Sequence, residues 1–222
     1  MRKKVLRQSG ESATEAEYTA VDGTGRGEML LHTSDLSYSA GQIFPGVSAA
    51  VAERPIDFFR LYNEWAAYAH TEIANEILFI PAEREGVIVN CDAHRLILLW
   101  SALCRVMYGT PYYTDLTVMS EYVGEKARFV LQVHAAAHRD NWFETLPSLL
   151  RSLNRDEETI RGITELAART RAGFRMTENG QYLRVSLLFE ATESHVGCLR
   201  AADPLPIAEL IRATAWIDQE HH

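Results

Sequence analysis

The sequence predicts an α+β chain in which an N-terminal helical hairpin comes first and strands alternate with helices after it. Three observations carry that prediction. Apolar residues recur at steps of three and four over residues 29–51 and again over 55–78, the spacing of one helix face. Apolar and polar residues alternate over 116–122 and 127–134 with Gly124 between them, which reads as a β-hairpin. Asn179-Gly180 stands between two further strand patterns, and this dipeptide tolerates the positive φ that two-residue turns require.

The elements follow in order. Residues 1–27 hold Ser, Thr, Glu and Gly with few large apolar side chains and read as a flexible leader. The run Asp22-Gly23-Thr24-Gly25-Arg26-Gly27 has no strand leading into it, so it reads as linker rather than phosphate loop. In 29–51 the helical stripe is Leu36, Ala40, Ile43, Val47 and Val51, and Pro45 predicts a kink. Pro55 suits a first helical position with Asp57 in the first turn, and Ile56, Phe59, Tyr62, Ala66, Ala69 and Ile73 form one face. The short loop between these two helices predicts an antiparallel pair. A strand over 87–89 follows. Asp92 then caps a helix that buries Leu96, Leu99, Trp100, Leu103 and Met107 and stops at Gly109-Thr110-Pro111. Beyond the first β-hairpin come a short helix over 146–153 and a longer one over 157–171. Ile160, Ile163, Leu166 and Ala167 share a face of the longer helix, with Gly173 as its C-cap. From Ala191 the chain has loop character until an amphipathic helix over 206–216.

At 222 residues, 47% hydrophobic and 23% charged, the chain is long enough for one sizeable core. A net charge of −8 argues against nucleic acid as a partner, because phosphate binding rests on basic surface. Arg2, Lys3, Lys4 and Arg7 have no apolar run behind them and read as a solvated tail, and no stretch approaches the roughly 20 apolar residues of a membrane span. The expected compartment is cytoplasmic, with no membrane partner. Cys91, Cys104 and Cys198 are an odd number without Cys-x-x-Cys spacing, and Cys104 lies in a helical apolar pattern as a buried reduced thiol. His134 and His138 are four apart, but His134 falls in a strand, so no metal site is expected. His70, His94 and Arg95 read as structural.

The element order over 55–189, with Asp92-Ala93-His94-Arg95-Leu96 opening the second helix, resembles the ATP-binding domain of sensor histidine kinases and the wider GHKL ATPases. Residues 160–189 resemble that family's last helix and hairpin. The resemblance implies a two-layer α/β sandwich over 81–190. It also implies a nucleotide site, and there the sequence departs from the family. The asparagine that holds the magnesium of Mg-ATP falls, on the apolar pattern, at Arg105, which has no lone pair for a metal but can meet a phosphate directly. The Asp-x-Gly-x-Gly loop is replaced by 135–142, which contains no glycine, and the glycine-rich lid by 153–158. The expected cofactor is therefore none.

The family's dimerisation hairpin carries a histidine followed by an acid, and only 29–51 has room for that helix. The register around Asp35-Leu36 and Ile43 fits best with Ser34 at the histidine position, while His32 is a candidate phosphoacceptor if the helix is set differently. An exposed imidazole is a competent nucleophile toward an aspartyl phosphate, and Asp35 is placed to hold its tautomer. A kinase needs two dimerisation helices and a further helix before the strand at Val87, yet 55–78 is the one helix left for the last two jobs. The layout is closest to histidine phosphotransferases, which pair a helical hairpin (28–80) with an ATPase-like domain that binds no ATP (81–190); here a tail with a short helix follows (191–222). The reading is a two-component signalling protein that contacts a response regulator or sensor kinase around His32, Asp35, Tyr38 and Gln42, as a homodimer. It acts by phosphotransfer or as a non-catalytic adaptor or inhibitor. The alternatives are an active GHKL-type protein kinase and an unrelated α+β binding domain.

Overall fold

A computed structural model describes residues 29–30, 53–110, 113–135, 143–153, 155–179, 181–193 and 205–221. The elements are β1 (Met29–Leu30), β2 (Arg54–Asp57), α1 (Phe58–Glu72), β3 (Leu78–Phe79), β4 (Val87–Cys91), α2 (Ala93–Tyr108), β5 (Tyr113–Val123), β6 (Lys126–Ala135), α3 (Leu146–Ser152), α4 (Glu157–Arg169), β7 (Gly173–Asn179), β8 (Tyr182–Glu190), β9 (Thr192–Glu193) and α5 (Ile207–Arg212), followed by a 3-10 turn, Ala215–His221. The α+β class is as predicted. The main sheet has the order β1-β7-β8-β6-β5-β3, and a smaller one the order β2-β4-β9.

Both predicted hairpins form. Val123 pairs with Lys126 across Gly124 (φ 58) and Glu125 (φ 63), two positive φ angles that match the twist of the flanking strands. Asn179 pairs with Tyr182, so the second hairpin also turns on two residues.

Several boundaries differ from the expectation, each for a physical reason. Residues 54–57 are strand rather than the start of a helix. Pro55 sits on β2, an edge strand of the small sheet, where its missing N–H interrupts no ladder. Asp57 is the actual N-cap of α1: one carboxylate oxygen accepts from the Arg60 N–H at 3.1 Å and the other from the Gly86 N–H at 2.8 Å. The helix stops at Glu72, and Leu78–Phe79 turns into a strand parallel to β5. Gly173 is no C-cap. Thr170 and Arg171 (φ 55) close α4, and Gly173 opens β7 between Leu30 and Leu188. The stretch expected to be helical from Met29 begins as strand, since Met29 and Leu30 pair with Phe174 and Gly173. His32, Ser34, Asp35, Tyr38 and Gln42 lie outside the described residues.

The core forms between the main sheet and α1 with α2. Trp100 stacks on Phe129 with ring centres 5.2 Å apart, and Trp65 meets both rings edge-on at 5.5 Å. The Trp65 indole N–H donates to the Ser101 hydroxyl, which donates to the Ile97 carbonyl. The Tyr62 hydroxyl lies 2.9 Å from both the Ile80 and Val118 carbonyls, tying α1 to β3 and β5. Helix α1 thus packs as part of the α/β body. Among the described residues no helix is long and apolar enough to cross a membrane.

The greatest departure from expectation is at the C-terminal end. Residues read as tail contribute Ile207, Leu210, Ile211 and Ile217 to the core, packed against α1 and α2. As a result α2 is buried on every side from Leu96 to Met107.

Candidate functional site

The resemblance places a nucleotide's metal-holding residue on α2, so the site is built from that helix outward. Asp92 caps it, accepting from the His94 and Arg95 N–H groups at 3.0 and 3.4 Å. Thirteen residues on, Arg105 is only 4% exposed, and its guanidinium is held by three partners. Nε donates to the Thr214 hydroxyl at 3.0 Å, one terminal nitrogen to the Glu72 carbonyl at 2.8 Å, and the other to the Asp218 carboxylate. The Glu72 carbonyl belongs to the last turn of α1, where helix carbonyls lack intrahelical donors, so Arg105 caps one helix from inside another.

A second arginine does the same nearby. Arg155 lies between α3 and α4, where the resemblance places the lid, and is 6% exposed. One terminal nitrogen donates to the Val106 carbonyl at 2.9 Å and the other reaches the Ile217 carbonyl at 3.5 Å. Asp156 beside it caps α4, accepting from the Glu158 and Thr159 N–H groups at 2.7 and 3.0 Å. Between α3 and α4 the Arg155 cation is therefore folded inward. Outside, Arg212 donates to the Glu72 carboxylate at 3.0 Å, fastening α5 to α1.

Arg105 is not placed to meet a phosphate, because its donors are committed to Thr214, Glu72 and Asp218 and its side chain is buried. The loop expected in place of Asp-x-Gly-x-Gly lies outside the described residues beyond Ala135, as does His138. His134 is on β6 as expected, 3.1 Å from the Gln181 amide oxygen and with its ring edge-on to Tyr182 at 5.6 Å. His94 Nδ1 lies 3.8 Å from the Asp92 carboxylate, and His70 lies against Phe79 with ring centres 6.4 Å apart. Among the described residues no three His, Cys, Asp or Glu side chains gather as metal ligands would.

The described thiols are unreactive by placement. Burial first, then the Asp92 and Glu53 charges, pushes Cys91 up to about 12, so its thiolate is scarce at neutral pH. Burial raises Cys104 as well, against a smaller opposing effect from Arg105. Both are free thiols, as the sequence predicts for Cys104.

Sequence reasoning singled out Arg105 but missed Arg155, Thr214 and Asp218. Arg155 stands in the polar run Asn154-Arg155-Asp156-Glu157-Glu158, which locally reads as solvated. Thr214 and Asp218 lie more than a hundred residues from the arginine they hold, and no local pattern links them.

No family model matches the chain, and no curated protein matches it. Among solved structures, the catalytic domain of histidine kinase ThkA is similar at 11% identity with a TM-score of 0.46, over 63% of this chain and 96% of that one. The Acinetobacter baumannii histidine kinase AdeS is similar at 10% identity and 0.42, over 68% and 73%. The histidine kinase domain of a blue-light activated kinase from Erythrobacter litoralis is similar at 16% and 0.39, over 68% of each. These likenesses are of outline only.

Proposed function

We propose that this chain is a two-component-type signalling protein that works by protein recognition on a kinase-like body without a nucleotide. The observation that carries the reading is Arg105. At the position where the resemblance calls for a metal-holding asparagine stands a cation, buried and bound to Thr214, Glu72 and Asp218. The inward-folded Arg155 at the lid position supports the same reading.

Within this proposal the segment that precedes α1 supplies the contacts between two copies and with a response regulator or sensor kinase, through Asp35, Tyr38 and Gln42. His32 is the candidate phosphoacceptor. A ring nitrogen of His32 attacks the phosphorus of an aspartyl phosphate, the P–O bond to the aspartyl carboxylate breaks, and that carboxylate leaves. The competing mode is an adaptor that transfers nothing.

The experiment is incubation of the full chain and of His32→Gln with a phosphorylated receiver domain. Loss of phosphoryl uptake in the variant alone establishes His32 as the carrier. Uptake by neither protein, with receiver binding kept by both, establishes the adaptor. Binding of no receiver and no sensor kinase by either protein overturns the proposal.

A further inference from the structure

Residues 205–221 are fastened to the body differently from the rest of the chain. The apolar side of α5 is ordinary, with Ile207, Leu210 and Ile211 buried at helical spacing and Ile217 following in the 3-10 turn. Beneath this segment, however, lie two cations: Arg105, held by Thr214 and Asp218, and Arg155, reaching the Ile217 carbonyl. A face made only for permanent burial is apolar, because a buried cation is costly unless every donor is paired. When the face is uncovered water replaces the oxygens that the segment supplied to the two guanidinium groups, so the cost of release falls on the apolar contacts of Ile207, Leu210, Ile211 and Ile217. The segment itself is weakly built. Helix α5 has six residues and no side-chain cap at Pro206, far fewer than an isolated helix needs to persist.

The ion pair is lopsided in the same sense. Arg105 is 4% exposed while the Asp218 side chain is 46% exposed, so the carboxylate reaches its cation from the solvent side. A carboxylate from another molecule has that approach open to it as soon as Asp218 swings away.

We propose that residues 205–221 are a releasable strap, and that the face of α1 and α2 beneath it is a docking groove for a partner segment of the strap's own chemistry. That segment is a short amphipathic helix with apolar residues three and four apart, followed by a carboxylate for Arg105. The strap seated in the groove shows what fits it. Strap and partner compete, so the groove opens to the partner only as fast as the strap lets go.

The test uses the full chain and a labelled synthetic peptide spanning 205–222. In hydrogen–deuterium exchange, amides of 208–217 exchange at least about tenfold faster than those of α2 and β8, as a unit that opens without global unfolding. Asp218→Asn speeds the strap further and leaves the sheet unchanged. The peptide binds Asp218→Asn more tightly than the unmodified chain, and Arg105→Met abolishes its binding. Should Asp218→Asn fail to fold, Thr214→Val and the unmodified chain give the same exchange comparison. Strap amides that exchange only with α2 and β8 would overturn the proposal. So would a peptide that never binds the weakened-strap variant.

Discussion

Helix α2 has two sides of opposite character. Toward the sheet it presents Trp100, stacked on Phe129 and crossed by Trp65, a face held by area and shape. Toward residues 205–221 it presents Arg105, and the Val106 carbonyl receives Arg155, a face held by directed hydrogen bonds. The aromatic side is complete within the α/β body. The arginine side is completed by residues that follow that body in the chain. The difference shows that one helix can be seated by apolar shape on one side and by a polar seam of directed hydrogen bonds on the other.

Substitutions on the two sides sharpen this contrast. Trp100→Ala removes the largest contact on the aromatic side and costs about 3–5 kcal/mol, read as a lower denaturation midpoint. Arg105→Met costs less, about 2 kcal/mol, because the half-exposed Asp218 returns to water and only the Glu72 carbonyl and the Thr214 hydroxyl lose a buried donor. An Arg105→Met cost equal to that of Trp100→Ala would erase the distinction between the faces. Ser101→Ala orphans the buried Trp65 indole N–H and costs about 1–2 kcal/mol by the same measurement. Gly124→Ala tests the hairpin alone. Nothing lies within 4 Å of an added Cβ, so its cost of about 1 kcal/mol comes from the positive φ.

A separate prediction concerns pH. Cys91 is raised from 9.0 to about 12 by burial, so between these values the unfolded chain loses a thiol proton that the folded chain keeps. The unfolded state then binds fewer protons. Stability from this group is fully present below pH 9 and is lost as pH rises toward 12, which a denaturation series across that range will show. Alkylation at pH 8 followed by peptide mapping should leave Cys91 and Cys104 unmodified until denaturant is added.

Most of the body was legible because its signals are local. Asp92 before a helical apolar stripe fixed the start of α2, and Gly124 and Asn179-Gly180 fixed the two hairpins. Pro55 misled, since the same residue suits a helix start and an edge strand, and only the partner strand β4 decides between them. Gly173 misled likewise, because Arg171 takes the left-handed position that a glycine usually fills. At the site, the sequence singled out Arg105 but not the groups that hold it. Whether a cation on a helix faces solvent or is held inward depends on Thr214 and Asp218, which lie more than a hundred residues away along the chain.

The most direct test of the central claim is a calorimetric titration of the full chain with Mg-ATP and Mg-ADP. With Arg105 and Arg155 committed inside the fold, we predict no binding heat and no rise in melting temperature with either nucleotide. Micromolar binding with thermal stabilisation would contradict the account and give the lead to an active kinase.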